Sequence, residues 1–472
     1  MEGIILPERA QVWQQGVLDF PAVRLLLSLM QASGSVPVTH RSVLAIAVPI
    51  MLSNVTEPMI GLVNAAVIGQ LPEPYYIGAI TVGALIFNFI FWGFGFLRLG
   101  TGGLSAQATG RGDKDELVAV LMRALMIALA AGLLLIALSP FIGNLAFSLI
   151  EGSAEVESHA TIYFHIRVFS APFALVNFCL LGWFVGQGKA RVAFLIQIVL
   201  NLTNMVFSIV FVLGFAMTSD GVALAALIAE VVAAILGLAI AWRWLRAMHA
   251  RFDRAAVFDR ARLWRTLVIN RDIMIRTVCL VFVFAFFTAR GAKAGDVMVS
   301  SNAILMHFFD TAAFLIDGFA FATEALVGQA VGARDRLRFD TAVRISSLWA
   351  FGVGLLTFAT ILFGGPVFID AMAVNPDVRE TARHYLLWAA LAPLIGVACF
   401  QYDGIFTGAT QTADMRNMTV LSMIAFLIAW AVLEPRYGNH GLWAAMIVFF
   451  TARGVSFASR MPALRRAAFG LA

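Results

Sequence analysis

Twelve apolar stretches constrain this chain more than any other feature. They run over 43–69, 77–108, 118–149, 159–186, 191–216, 221–246, 273–292, 298–331, 341–372, 382–409, 415–433 and 439–460. A helix needs about 20 apolar residues to cross the hydrocarbon core of a bilayer. Each stretch has roughly that length or more, and the longer ones predict tilted or kinked helices. Composition agrees: 61% of residues are hydrophobic and only 13% charged, with a mean hydropathy of +0.87, whereas soluble chains are about 45–50% apolar and about 25% charged. The expected fold is an all-α membrane protein with twelve transmembrane helices.

Several functions are disfavoured at once. No phosphate-binding Walker loop, HExxH motif or Cys/His cluster is present, so neither direct use of ATP nor a metal or organic cofactor is expected. Cys179, Cys279 and Cys399 all fall inside apolar segments, an odd set that reads as packing rather than as a disulfide framework. The net charge of +5 does not point to nucleic acid, because the basic residues lie in short loops between spans. With the N-terminus in the cytoplasm, twenty-five of the 33 Lys and Arg fall in inside loops and termini, and five fall outside. That asymmetry orients a multi-pass protein with both termini in the cytoplasm; the expected location is a bacterial inner membrane.

The chain also repeats itself. GGLSAQATGRGD (102–113) and EALVGQAVGARD (324–335) close the second and eighth spans, and Gln107, Gly110 and Asp113 recur as Gln329, Gly332 and Asp335, each 222 residues later. Gly182 and Gly186 recur as Gly404 and Gly408 at the same offset. A constant offset at separate places indicates duplication. Six spans per half is an even number, so the halves share one orientation about a pseudo-twofold axis along the membrane normal. The expected organisation is a cytoplasmic segment 1–41, an N-lobe 42–248, a basic amphipathic linker helix on the inner membrane surface within 249–272, a C-lobe 273–462 and a tail 463–472.

Polar residues inside the spans are the candidate functional groups. Glu57 lies near the middle of the first span, where a carboxylate costs about 2.5–3.5 kcal/mol on insertion scales. Pro58 follows it, cannot donate to the Asn54 carbonyl, and predicts a hinge. Asn54, Glu57 and Asn64 share one helix face. Gln197, Asn201, Asn204 and Ser208 form a polar stripe on the fifth span; it either binds neighbouring helices or lines a cavity against the first span. Asp310, Asp317 and Glu324 recur every seven residues along the eighth span, and Asp403 lies beside Gly404 in the tenth. Glu324 is also readable as an ordinary acid near a helix end, and Arg276, at the start of the seventh span, is a candidate partner for these carboxylates.

The segments IAVPIMLSNVTEPMIGLVNAAVIGQL (46–71), LLGWFVGQGKAR (180–191), INRDIMIR (269–276), IDGFAFATEALVGQAVGARD (316–335), DGIFTGAT (403–410) and GNHGLWAA (438–445) resemble, in order, the DinF-like branch of the multidrug and toxic compound extrusion (MATE) family. The resemblance runs from about 42 to 462. It implies two six-helix bundles and cation-driven export of organic, often cationic or amphipathic compounds, coupled to H⁺ or Na⁺. Relatives usually carry an aspartate in the first span, in the pattern LVDTAVIG; here the pattern is LVNAAVIG, with Asn64 in that place. The acid usual in the fifth span is replaced by Ser208. Glu57 stands where relatives are commonly apolar, so the resemblance implies that the titrating group of the N-lobe has moved two turns along the first helix. Asp317, Glu324 and Asp403 fit the C-lobe pattern.

The leading expectation is therefore a monomeric secondary exporter, H⁺-coupled in preference to Na⁺-coupled, working by alternating access on small molecules within membrane lipid. Glu57, Asp310, Asp317, Glu324 and Asp403 are its ion-coupling candidates. Asn54, Asn64, Gln197, Asn201, Asn204 and Ser208 are its cavity candidates. A lipid or lipid-linked sugar flippase is the alternative; it would need cationic residues in the cavity, for which Arg98, Arg167 and Arg276 are the candidates. A membrane-embedded enzyme or sensor would need a nucleophile–base pair or an output domain, and neither is found.

Overall fold

The structure is a computed structural model describing residues 38–71, 73–149 and 153–470, with the side chains of Glu57, Pro58 and Leu149 outside the description. The proposed segment 1–41 lies almost wholly outside the described residues. The described chain is helical, without strands, and twelve of its helices are long and apolar enough to cross a membrane. They are α1 (His40–Ile68), α2 (Tyr75–Arg111), α3 (Lys114–Ser148), α4 (Ala154–Gly186), α5 (Ala190–Gly214), α6 (Ser219–Ala247), α7 (Arg260–Lys293), α8 (Asp296–Gly332), α9 (Arg336–Met372), α10 (Pro376–Gly408), α11 (Thr412–Tyr437) and α12 (Asn439–Phe469).

Local chemistry sets their ends. Thr39 and Ser42 form a reciprocal capping box at the start of α1, and Asp335 caps α9 through the Arg338 amide; each satisfies amides with no helical partner. Gly112 closes α2 in the left-handed region, at φ +68°, a conformation that glycine adopts without penalty. The break expected in the longer spans falls in α2 at Phe94–Gly95, between Gly93 and Phe96, where glycines weaken the helix.

The connection between halves differs from one amphipathic helix over 249–272. It holds a single helical turn, Arg254–Val257, and then α7 starts at Arg260. Asp253 and Asp259 each cap the element that follows, and no Gly or Pro separates residue 260 from the seventh span, so the helix continues into the membrane. The tail over 463–472 is likewise the continuation of α12 as far as Phe469, held by buried Leu464 and by Arg465 on Asp340 at 2.7 Å.

The two sets of six helices are related by a pseudo-twofold axis, and the duplicated residues meet across it. A Cβ on Gly110 would collide with the Gln329 carbonyl, and one on Gly332 with the Gln107 carbonyl. The Gln107 amide donates to the Gly408 carbonyl at 3.1 Å, and the Gln329 amide to the Gly186 carbonyl at 3.0 Å. Small residues let the backbones of α2 and α8 approach this closely.

These joins have a direction. Among the described residues, hydrogen bonds between the halves involve α1 only at His40 and Asn54, and α8 only at Phe314 and Gln329. His40 and Gln329 lie toward the helix ends nearest the connection at 248–259, and Asn54 and Phe314 at the helix midpoints. Beyond Asn54 and Phe314 both helices become more exposed.

Candidate functional site

The three acids of α8 run from an exposed position to a buried one. A spacing of seven residues is two turns, about 10.5 Å, so they share a face. Asp310 is exposed, Asp317 half-buried and Glu324 only 2% exposed. Glu324 is not a solvated helix-end acid: its carboxylate lies against Gly102, where a Cβ would strike Oε1. Gly102 is the pseudo-twofold counterpart of Glu324, so the half without a side chain makes room for the half that has one. Glu324 thus stands at the seam, in the field of Arg98. Arg98 also stacks over Phe321, 3.9 Å from the ring centroid.

Asp403 is held differently. It pairs with Arg276, the partner considered from sequence, and with Arg453 at 2.5 Å. Arg276 donates through two nitrogens, one to each carboxylate oxygen. A cation arriving at Asp403 would have to compete with two guanidiniums already in place. Asp317 lies in the combined field of Arg98, Arg276, Arg453 and Asp403. Three arginines therefore stand among three carboxylates, and no single sign prevails.

In the first half, the α5 stripe meets α1. The Gln197 amide donates to Asn201 Oδ1 at 3.0 Å, and Asn201 donates to Thr56 Oγ1 at 2.8 Å. Of the two readings of the stripe, the Asn201–Thr56 bond supports hydrogen bonding between helices, here with the first span. Asn54 instead reaches across the axis, donating to the Phe314 carbonyl at 3.1 Å. Asn64 Oδ1, Asn204 Oδ1 and Ser208 Oγ are buried without a hydrogen-bond partner among the described residues. Unpaired acceptors at this depth are costly. Glu57 and Pro58 fall between these groups in sequence. The helical backbone passes through both positions without a break, and their side chains lie outside the described residues.

One intramembrane carboxylate was missed from sequence. Glu230, near the middle of α6, is 8% exposed. It accepts from Asn177 at 2.8 Å, and Arg167 stands 3.8 Å away. The rule that singled out Glu57, an acid mid-way along an apolar span, applies equally to Glu230 in LIAEVVAAI. Its bonds to two residues of α4 make it an interhelical tie.

Comparison with known proteins decides the family. The MatE family model matches this chain twice, over residues 49–210 and 273–433, one match in each half. The chain belongs to the MATE transporter family. MATE relatives include the DNA damage-inducible protein F of Escherichia coli (strain K12), 37% identical over 414 residues, covering 88% of this chain and 90% of the relative. The multidrug resistance protein MdtK of Edwardsiella ictaluri is 23% identical over 454 residues, covering 90% of this chain and 96% of MdtK. Among solved structures, a MOP superfamily transporter from Pyrococcus furiosus superposes with a TM-score of 0.81 at 18% identity, covering 92% of this chain and 97% of that one. This last likeness concerns the fold alone.

Proposed function

We propose that this MATE protein is a cation-coupled exporter of small organic, amphipathic or cationic compounds, driven by H⁺ in preference to Na⁺. It would work by alternating access as a monomer in a bacterial inner membrane, with both termini and the 248–259 connection in the cytoplasm. The observation that carries this reading is the run of three acids along one face of α8, from exposed Asp310 to buried Glu324 at the seam between the halves. A compound would enter from the side of Asp310, with the Glu324–Gly102 contact as the barrier to the cytoplasm.

Coupling is assigned to Glu57, Asp317 and Glu324, with Asp310 at the mouth. Glu57 follows Thr56, which the α5 stripe holds through Asn201. Asn64, Asn204 and Ser208 offer further acceptors on the same pair of helices. A proton on Glu57 removes a charge at mid-membrane, and Pro58 supplies a point at which α1 can bend differently. Asp403 becomes a positioning residue that keeps Arg276 and Arg453 compensated.

Dye efflux from proteoliposomes under separately imposed H⁺ and Na⁺ gradients tests this reading. The expected result is transport driven by H⁺. Movement of a labelled lipid without dye transport under either gradient would instead favour the flippase reading, for which Arg98, Arg276 and Arg453 are the relevant cations.

A further inference from the structure

Away from the seam between the halves, α3 and α4 line an open polar pocket of about 380 Å³, in which Asn144, Ser148, Glu157 and His165 are exposed. Ser139, Asn144 and Ser148 line it from α3, and Glu157, Thr161 and His165 from α4. No residue of the second half contributes to it. The α4 residues are spaced by four, so they share one face. Among the described residues, the side chains of Ser139, Asn144, Glu157, Thr161 and His165 find no hydrogen-bond or ion-pair partner, although Ser139 is 92% buried, being 8% exposed. The surroundings are apolar and outward-facing: Leu138, Phe141 and Leu145 on α3 and Ile162 on α4 are all exposed. Polar groups that face lipid without partners are costly, so the arrangement calls for a polar ligand that arrives with the lipid.

The order of the groups along the helices identifies its chemistry. The cavity lies beside the connection between α3 and α4, on the far side of the membrane from 248–259. Glu157 is one turn inside α4, Thr161 is about 6 Å deeper and His165 about 12 Å deeper at 1.5 Å per residue. On α3, Ser148 is outermost, then Asn144, then Ser139. A carboxylate at the mouth followed by uncharged hydroxyl and amide donors matches, in order, an ammonium, a phosphate and an ester linkage. A primary ammonium can donate hydrogen bonds to Glu157; a trimethylated one has no N–H to give.

We propose that this cavity binds the headgroup of an ethanolamine phospholipid, with the ammonium on Glu157, the phosphate near Asn144 and Thr161, and the ester region beside Ser139 and His165. Native mass spectrometry of the purified protein, released from an equimolar mixture of phosphatidylethanolamine and phosphatidylcholine with identical acyl chains, tests it. Wild type should retain the ethanolamine lipid about tenfold over the choline lipid, the factor equivalent to about 1.4 kcal/mol from one charge-assisted hydrogen bond. Glu157→Gln should bring the ratio to one, while Glu155→Gln, at an exposed position outside the cavity, should leave it unchanged. Asn144→Leu, an independent variant, should lower retention of both lipids. Equal retention by wild type, a preference that survives Glu157→Gln, or full displacement of the lipid by soluble phosphoethanolamine would overturn the proposal.

Discussion

Asp403 shows how neighbours decide what a buried acid can do. Its place beside Gly404 within the tenth span marks it as a coupling candidate, but the guanidiniums of Arg276 and Arg453 both close on it. Removing one partner from such a group leaves buried charge uncompensated, at a cost of about 3–5 kcal/mol. Asp403→Asn should therefore lower the thermal unfolding temperature in detergent markedly, whereas Asp310→Asn, at an exposed site, should leave it nearly unchanged. If both variants melt with wild type, the positioning role of Asp403 is wrong. Spacing placed Asp310, Asp317 and Glu324 on one face, as found. It could not tell that Glu324 would enter the space left by Gly102, because that contact joins residues 222 apart in sequence through the pairing of two halves.

At the level of helices, the seam between α2 and α8 depends on small residues. Gly110 and Gly332 each lie against the carbonyl of the glutamine that precedes the other by three. Overpacking a close contact costs about 1–3 kcal/mol, and here the strain falls on the joined state alone. Gly110→Leu should shift the molecule toward parted inner ends, and Gly332→Leu should do the same because the contacts are reciprocal. The measurement is thiol labelling of a cysteine at Ala106, buried in the seam, in a background lacking Cys179, Cys279 and Cys399. Both glycine variants should raise the labelling rate several-fold; unchanged labelling would mean that the seam does not gate. The offset of 222 made the duplication legible, because related contacts must repeat in both halves. The course of the connection was less legible: 260–272 carries the charge pattern of a surface helix, yet nothing in it stops α7 from continuing.

For the whole molecule, the number of spans followed from segment length, since helices in a bilayer must satisfy their own backbone. The contacts between the halves did not, because they depend on which conformer is stabilised. Orientation is open to a direct check: a cysteine replacing Arg254 in the connection should be labelled only from the cytoplasmic side, and one replacing Val374, 90% exposed between α9 and α10, only from the opposite side. The reverse pattern would invert the direction of transport.

The central claim is that export is coupled through the carboxyl group of Glu57 on the first helix. The most direct measurement is proton release on addition of a transported compound to purified protein in weakly buffered solution. Wild type should release protons, Asp310→Asn should release them equally, and Glu57→Gln should release markedly fewer while still binding the compound. Undiminished release from Glu57→Gln would contradict the account.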